Sequence, residues 1–177
     1  MDMSFLVKLT ARRWALPILS HLNSGVAGRQ APLISSTGAA RASFLDSMGH
    51  LQALGLVHRN TGHGHPLRPE YQISEQGRRW AEMADEVMAL TREETATKLV
   101  QRSWALPVLL AAWEARYFGE LRGQLNPVTD RALSQVLKGL GEAAWIEREV
   151  DPSGRPPRAT YRSVDTGARI AQVLAAA

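Results

Sequence analysis

Residues 12–19, reading Arg-Arg-Trp-Ala-Leu-Pro-Ile-Leu, return 90 positions later as Arg-Ser-Trp-Ala-Leu-Pro-Val-Leu at 102–109. Four consecutive identities, preceded by the shared Arg12 and Arg102, are hard to obtain by chance, and a repeat missed at this stage mis-assigns the whole fold. The similarity continues along the chain. Phe44, Met48 and Leu51 correspond to Leu133, Leu137 and Leu140, both sets spaced i, i+4, i+7 as one face of a helix requires. Tyr71 and Gly77 answer to Tyr161 and Gly167. The 177 residues therefore read as one unit, duplicated, with domains expected at 1–90 and 91–177 and no flexible linker between them.

Each copy has the same expected order. Helices start near Trp14 and Trp104, with Pro17 and Pro107 in a first turn or at a kink. A second amphipathic helix covers 40–54 and 129–143, followed by short strands at 57–60 and 146–150. The turn-forming clusters 61–66 (TGHGHP) and 151–157 (DPSGRPP) lead into returning strands at 70–73 and 159–163, which is the pattern of a hairpin. Ser74 is placed to cap a helix with the apolar stripe Trp80, Met83, Val87 and Leu90. Thr91 and Glu94 fit a capping box that opens a new helix near residue 92. The expected class is mainly α with small β-hairpins.

Composition removes several function classes. The absence of cysteine excludes a disulfide framework, a thiolate zinc site, a thiol nucleophile and a cysteine redox switch. The longest apolar run, 104–113, is half of what a membrane-spanning helix needs, and the first residues lack the pattern of a signal peptide, so a cytoplasmic protein is expected. The net charge of +4 is evenly split between the halves and, with a sequence pI of about 10.0, permits nucleic-acid binding without requiring it. No Gly-x-Ser-x-Gly elbow, phosphate loop, dinucleotide fingerprint or His-Glu-x-x-His helix is present, and no enzyme or cofactor is expected. His58, His63 and His65 lack accompanying ligands at metal-binding spacing and are read as loop histidines, with no metal site.

Three helices followed by a two-stranded hairpin is the order of a winged helix-turn-helix, whose third helix enters the DNA major groove. The motifs Arg-x-Trp-x-x-x-Ile/Val-Leu, Phe118-Gly119-Glu120-Leu121-Arg122 with Leu125, an apolar-Val/Ile-x-Arg strand, and Pro-x-x-x-Tyr with a later Gly resemble the HxlR-type regulators over about 80 residues of each copy. The resemblance implies a bacterial DNA-binding transcription regulator, usually a one-domain chain that dimerises on a palindromic operator. Here it implies two such domains in tandem, forming a pseudo-dimer within one chain, as a monomer or a homodimer. Relatives that sense oxidants use an N-terminal cysteine, and this chain has none. The first copy also departs from the pattern. Its stretch 27–36 lacks Phe-x-Glu-Leu and has Pro32 where the second copy has Leu121, so an altered or shortened helix is expected there.

A groove-reading helix needs donors to base edges and phosphates. With the ridge Leu133, Leu137, Leu140 turned inward, Arg131, Gln135 and Lys138 share another face, with Thr129 and Ser134 nearby. The corresponding first-copy residues are Ala42, Asp46 and Gly49, a poor set that Arg41, Ser43 and His50 partly offset. At the wings, Arg155 and Arg158 flank Pro156 and Pro157 in the second copy, and Arg68 follows the histidines in the first. Solvated helix faces of such composition are common, and the winged-helix context favours DNA contact.

Five tryptophans accompany three phenylalanines and three tyrosines. Trp14 and Trp104 hold matching positions, as shared core residues would, whereas Trp113 and Trp145 lack aromatic counterparts. All four are candidates for lining a site for a planar aromatic ligand between the halves. Two readings result. The first is a DNA-binding regulator responsive to a small aromatic ligand. The alternative is a small-molecule-sequestering resistance protein that kept the winged scaffold with little or no DNA binding. Double-stranded DNA, an aromatic ligand and no membrane are the expected partners.

Overall fold

A computed structural model of the chain describes residues 2–63, 68–153 and 156–177, with the side chains of 61–63 and 68 outside the description. The chain divides into two compact units. One comprises Arg12–Ala89, and the other combines residues 2–11 with 90–176.

The first unit contains α2 (Ala15–Asn23), α3 (Gln30–Thr37), α4 (Arg41–Ala53), β1 (Val57–His63), β2 (Arg68–Ile73) and α5 (Arg78–Leu90); the N-terminal α1 (Met3–Leu9) belongs to the other. Pro17 is the third residue of α2 and Pro107 the third of α7 (Ala105–Ala111), so both sit in a first turn, where the missing N–H costs nothing, and neither kinks its helix. In α4 the ridge Phe44, Met48 and Leu51 is buried, as the spacing required. β1 and β2 pair antiparallel from Val57↔Ile73 to Asn60↔Glu70, with an irregularity before His63↔Arg68. The predicted turn around His65 lies outside the described residues. Ser74 Oγ accepts the Gly77 N–H at 2.9 Å, holding the turn that leads into α5. Asp85 then ties α5 to α2 by accepting from the Ser20 and Ser24 hydroxyls at 2.8 and 3.1 Å.

The second unit repeats the plan with α6 (Glu94–Val100), α7, β3 (Arg116–Tyr117), α8 (Phe118–Gln124), α9 (Asp130–Glu142), β4 (Ile146–Asp151), β5 (Arg158–Ser163) and α10 (Asp165–Ala176). α6 begins two residues later than expected. Glu93, not Thr91, is its N-cap and makes no side-chain cap bond, and the Thr97 hydroxyl donates back to the Thr91 carbonyl. α10 packs on α7 through Ile170, Ala171 and Leu174, and α1 packs on α7 as well, where the Thr10 hydroxyl donates to the Ser103 carbonyl at 2.7 Å.

The sheet of the second unit has three strands in the order β3-β5-β4, one more than the hairpin expected from sequence. In the first unit the equivalent of β3 is reduced to one backbone bond, from Tyr71 N–H to the Gly28 carbonyl at 2.6 Å. Gly28 is required there, since a Cβ would lie 2.0 Å from the Tyr71 oxygen. α3 is not shortened: it spans 8 residues against 7 in α8, and Pro32 is its third residue, a position the first turn tolerates.

A pair of glycines in register with the repeat closes each unit. A Cβ on Gly77 would meet the Leu56 carbonyl oxygen at 2.1 Å, and one on Gly167 the Trp145 oxygen at 2.2 Å. Backbone cannot yield as a side-chain tip can, so Gly77→Ala and Gly167→Ala should each destabilise the protein by about 1–3 kcal/mol. Gly123→Ala, on α8 with no neighbour within 4 Å, should be neutral or stabilising by up to about 1 kcal/mol. Urea midpoints of the three variants check this, and a normal midpoint for Gly167→Ala would contradict the close approach.

Candidate nucleic-acid interface

The orientation of α9 follows from its core. Leu133, Val136, Leu137 and Leu140 are buried, leaving Arg131, Ser134, Gln135 and Lys138 exposed. Thr129 is the N-cap, its hydroxyl accepting the Ala132 N–H at 3.2 Å, and Asp130 adds a favourable charge to the first turn. Thr129 is exposed at the end that a groove-reading helix presents to base edges. Among the described residues no ion pair engages Arg131. Lys138 reaches Glu142 only at 3.8 Å, both exposed, so the ammonium can leave this i, i+4 pair for a phosphate at a cost of about 0.5 kcal/mol or less.

The wing lies beside this helix. A groove of about 330 Å³ is lined by Ser134, Leu137 and Lys138 of α9 together with Phe118, Arg148 and Tyr161. It brings Arg148, which sequence reasoning assigned only to a strand motif, to the same groove as the donors of α9. The available signal was strand alternation, since an arginine directly across from Tyr161 shares its face of the sheet. Arg158 is exposed at the start of β5, opposite Asp151. Arg155 lies outside the described residues.

Asp151 anchors the wing. It accepts from the Ser153 hydroxyl at 2.6 Å and the Ser153 N–H at 2.9 Å through Oδ1, and from the Tyr117 hydroxyl through Oδ2. The Ser153 hydroxyl, then Tyr117, then the Ser153 amide lower the carboxyl to a pKa of about 2. The same bond, with Asp151 as acceptor, raises the Tyr117 phenol above its usual value. Tyr117 also donates its N–H to Glu120 at 2.7 Å, so one residue fixes the start of α8 and the wing.

The first unit presents a different surface. Arg41 and Ser43 are exposed at the start of α4, and Ala42, Asp46 and Gly49 are exposed along it, as is Leu45. Asp46 pairs with Arg12 at 2.7 Å, so its charge is partly compensated and the repulsion of phosphate is weaker than an isolated carboxylate would give. β2 begins at Arg68, whose side chain is outside the description. The tryptophans are distributed over both units. Trp14, half-buried, carries the Arg13 guanidinium 5.1 Å from its ring centroid, an arrangement of the cation–π type. Trp104 is half-buried at the N-cap of α7, Trp145 is buried, and Trp113 is exposed beside a cavity of about 270 Å³.

A 13-residue helix packed through one buried ridge, set next to a strand hairpin and preceded by two shorter helices, defines each unit as a winged helix-turn-helix domain. The HxlR-like helix-turn-helix family matches residues 9–98 and again 99–177, and the chain belongs to that family as a tandem pair. It is thus a DNA-binding transcription regulator by family, and not an enzyme. No curated protein matches it significantly. A crystal structure described as a proposed MarR-family transcriptional regulator from Porphyromonas gingivalis W83 is similar at 19% identity, with a TM-score of 0.38, over 50% of this chain and 78% of that one. Among the described residues, no helix is long and apolar enough to cross a membrane, and no group of three or more His, Cys, Asp or Glu side chains could hold a metal ion.

Because the Asp151 carboxyl is depressed in the folded state, its contribution to stability is present above its ordinary pKa of 3.8 and is lost as pH falls towards about 2. Thermal unfolding of the protein and of Asp151→Asn should therefore differ at neutral pH, with the difference shrinking below pH 3.8 and vanishing near 2. A difference independent of pH would refute this role for the carboxylate.

Proposed function

We propose that this regulator reads DNA sequence chiefly through its second unit. The observation that carries the proposal is the contrast between equivalent helices: α9 exposes Arg131, Ser134, Gln135 and Lys138, and α4 exposes Ala42, Asp46 and Gly49. Arg131 and Gln135 can each form bidentate contacts with purine edges. Lys138, Arg148, Arg155 and Arg158 are suited to phosphates, and Thr129 to either. Arg41, Ser43 and Arg68 would supply weaker, mainly positioning contacts from the first unit.

In this reading the two copies, 1–90 and 91–177, act as a pseudo-dimer in which the half-sites need not be equal, so the operator need not be a palindrome. The protein works in the cytoplasm and responds to a small aromatic ligand. The exposure of the α9 donors favours DNA reading over a scaffold converted to sequestration, which would have no use for them.

Fluorescence anisotropy with duplex DNA from upstream of the protein's own gene tests the assignment. Arg131→Ala and Gln135→Ala should each weaken binding by about 1–3 kcal/mol and relax sequence preference. Lys138→Ala should weaken all sequences alike and lower the salt dependence by about one phosphate contact. Asp46→Ala should change little. If Arg131→Ala and Lys138→Ala bound as the unaltered protein does, reading by the second unit would be wrong.

A further inference from the structure

We propose that the cavity beside Trp113 and Arg116 binds a planar aromatic carboxylate. This deepens the ligand-responsive part of the reading above and does not depend on which unit reads DNA. Three observations converge. Trp113 is 41% exposed, one of only three large apolar side chains among the described residues left so, and the repeat gives it no counterpart: the first copy has Asn23 at the equivalent position. An indole is costly to leave in water and offers a flat face for stacking.

The second observation is Arg116. Its Nε is buried and, among the described residues, is the one buried side-chain polar atom without a hydrogen-bond partner. A buried N–H left unpaired costs about 1–3 kcal/mol, so this guanidinium is held in place without the bonds that would satisfy it. Among the described residues this guanidinium ion-pairs only with Glu114, from Nη2 at 3.1 Å, and Glu114 is 75% exposed. Such a surface pair contributes little and is readily exchanged. Nε is closed off from the cavity, so the two Nη groups, end on, are the fork that can grip a carboxylate with two parallel bonds.

The third is the space. Trp113, Glu114, Arg116 and Gln124 line a cavity of about 270 Å³ whose other walls include the apolar Leu110 and Ala175, so the Glu114 carboxylate must swing aside for an anion to take its place on Arg116. This is just under the roughly 300 Å³ at which sites for drug-sized ligands begin, and it suits one or two fused rings. The ring would lie against Trp113 and the apolar wall, with the carboxylate on Arg116 and the Gln124 amide within the same cavity as a further donor. A neutral aromatic would forgo the charge-assisted bonds to Arg116, and an aliphatic acid would forgo the stacking.

Isothermal titration of the full chain with 2-naphthoate and with its neutral analogue 2-naphthalenemethanol tests the proposal. One naphthoate should bind per chain at sub-millimolar concentration, with the alcohol about tenfold weaker or more. Arg116→Gln and Trp113→Ala should each weaken naphthoate by about tenfold, and Arg116→Lys, which keeps the charge, should lose less than Arg116→Gln. No binding up to about 1 mM, equal binding of acid and alcohol, or naphthoate affinity unchanged in Arg116→Gln would overturn it. The comparison of acid with alcohol uses the unaltered protein, so it stands even if a variant misfolds. Arg131→Ala should bind naphthoate normally, which separates a failure of this site from a failure of the DNA assignment.

Discussion

Burial of one ridge per unit sets the rotational phase of the helix that carries it, and the exposed surface follows from that phase. Leu133, Leu137 and Leu140 in α9, like Phe44, Met48 and Leu51 in α4, each stabilise the fold by about 1.5–3 kcal/mol on burial. Rotating α9 to hide Arg131 or Lys138 would expose several of these at once and bury a charge. The ridge therefore does more than hold the domain together. It dictates that Arg131, Ser134, Gln135 and Lys138 share the outer surface of a helix flanked by the wing.

The duplication made that much legible, because a spacing that occurs twice is hard to mistake. Helix α9 was expected at 129–143 and lies at 130–142, and α4 was expected at 40–54 and lies at 41–53. Features resting on contacts between distant residues were not legible. β3 is two residues long, too short for any periodicity, and its remnant in the first unit is one bond to Gly28. The pairing of Arg12 with Asp46, and of Tyr117 with Asp151, joins residues 34 positions apart in each case, with nothing local to announce it. Likewise, Arg148 reads as a strand residue until the sheet register sets it beside the groove of α9.

The two units show how a duplicated scaffold diverges without losing its fold. What the backbone needs is kept: the ridge, the proline in the first turn, and the glycine that lets the last helix approach the carbonyl of residue 56 or 145. What the surface carries has changed. α9 has an N-cap from Thr129 and an outward row of donors, whereas α4 starts at Ala40 with no side-chain cap bond and exposes Ala42, Gly49 and a compensated carboxylate. Loss of a cap costs about 1 kcal/mol, a sum the buried ridge can absorb. Stability therefore did not require the first helix to keep an outward row of hydrogen-bond donors.

β3 places the proposed ligand cavity one peptide bond from the wing. Arg116 and Tyr117 are consecutive, so their side chains leave opposite faces of the strand: Arg116 lines the cavity beside Trp113, and Tyr117 bonds to Asp151. The strand pairs with β5 through just these two residues, Arg116 with Tyr161 and Tyr117 with Thr160. An edge strand this short has few backbone bonds to resist displacement, and a shift that improves the grip of Arg116 on an anion is felt by Tyr117 in the same motion. Any such coupling is a difference in free energy between two states, and it must be reciprocal. A ligand held at Arg116 can alter the wing only to the extent that DNA held at the wing alters the hold on the ligand.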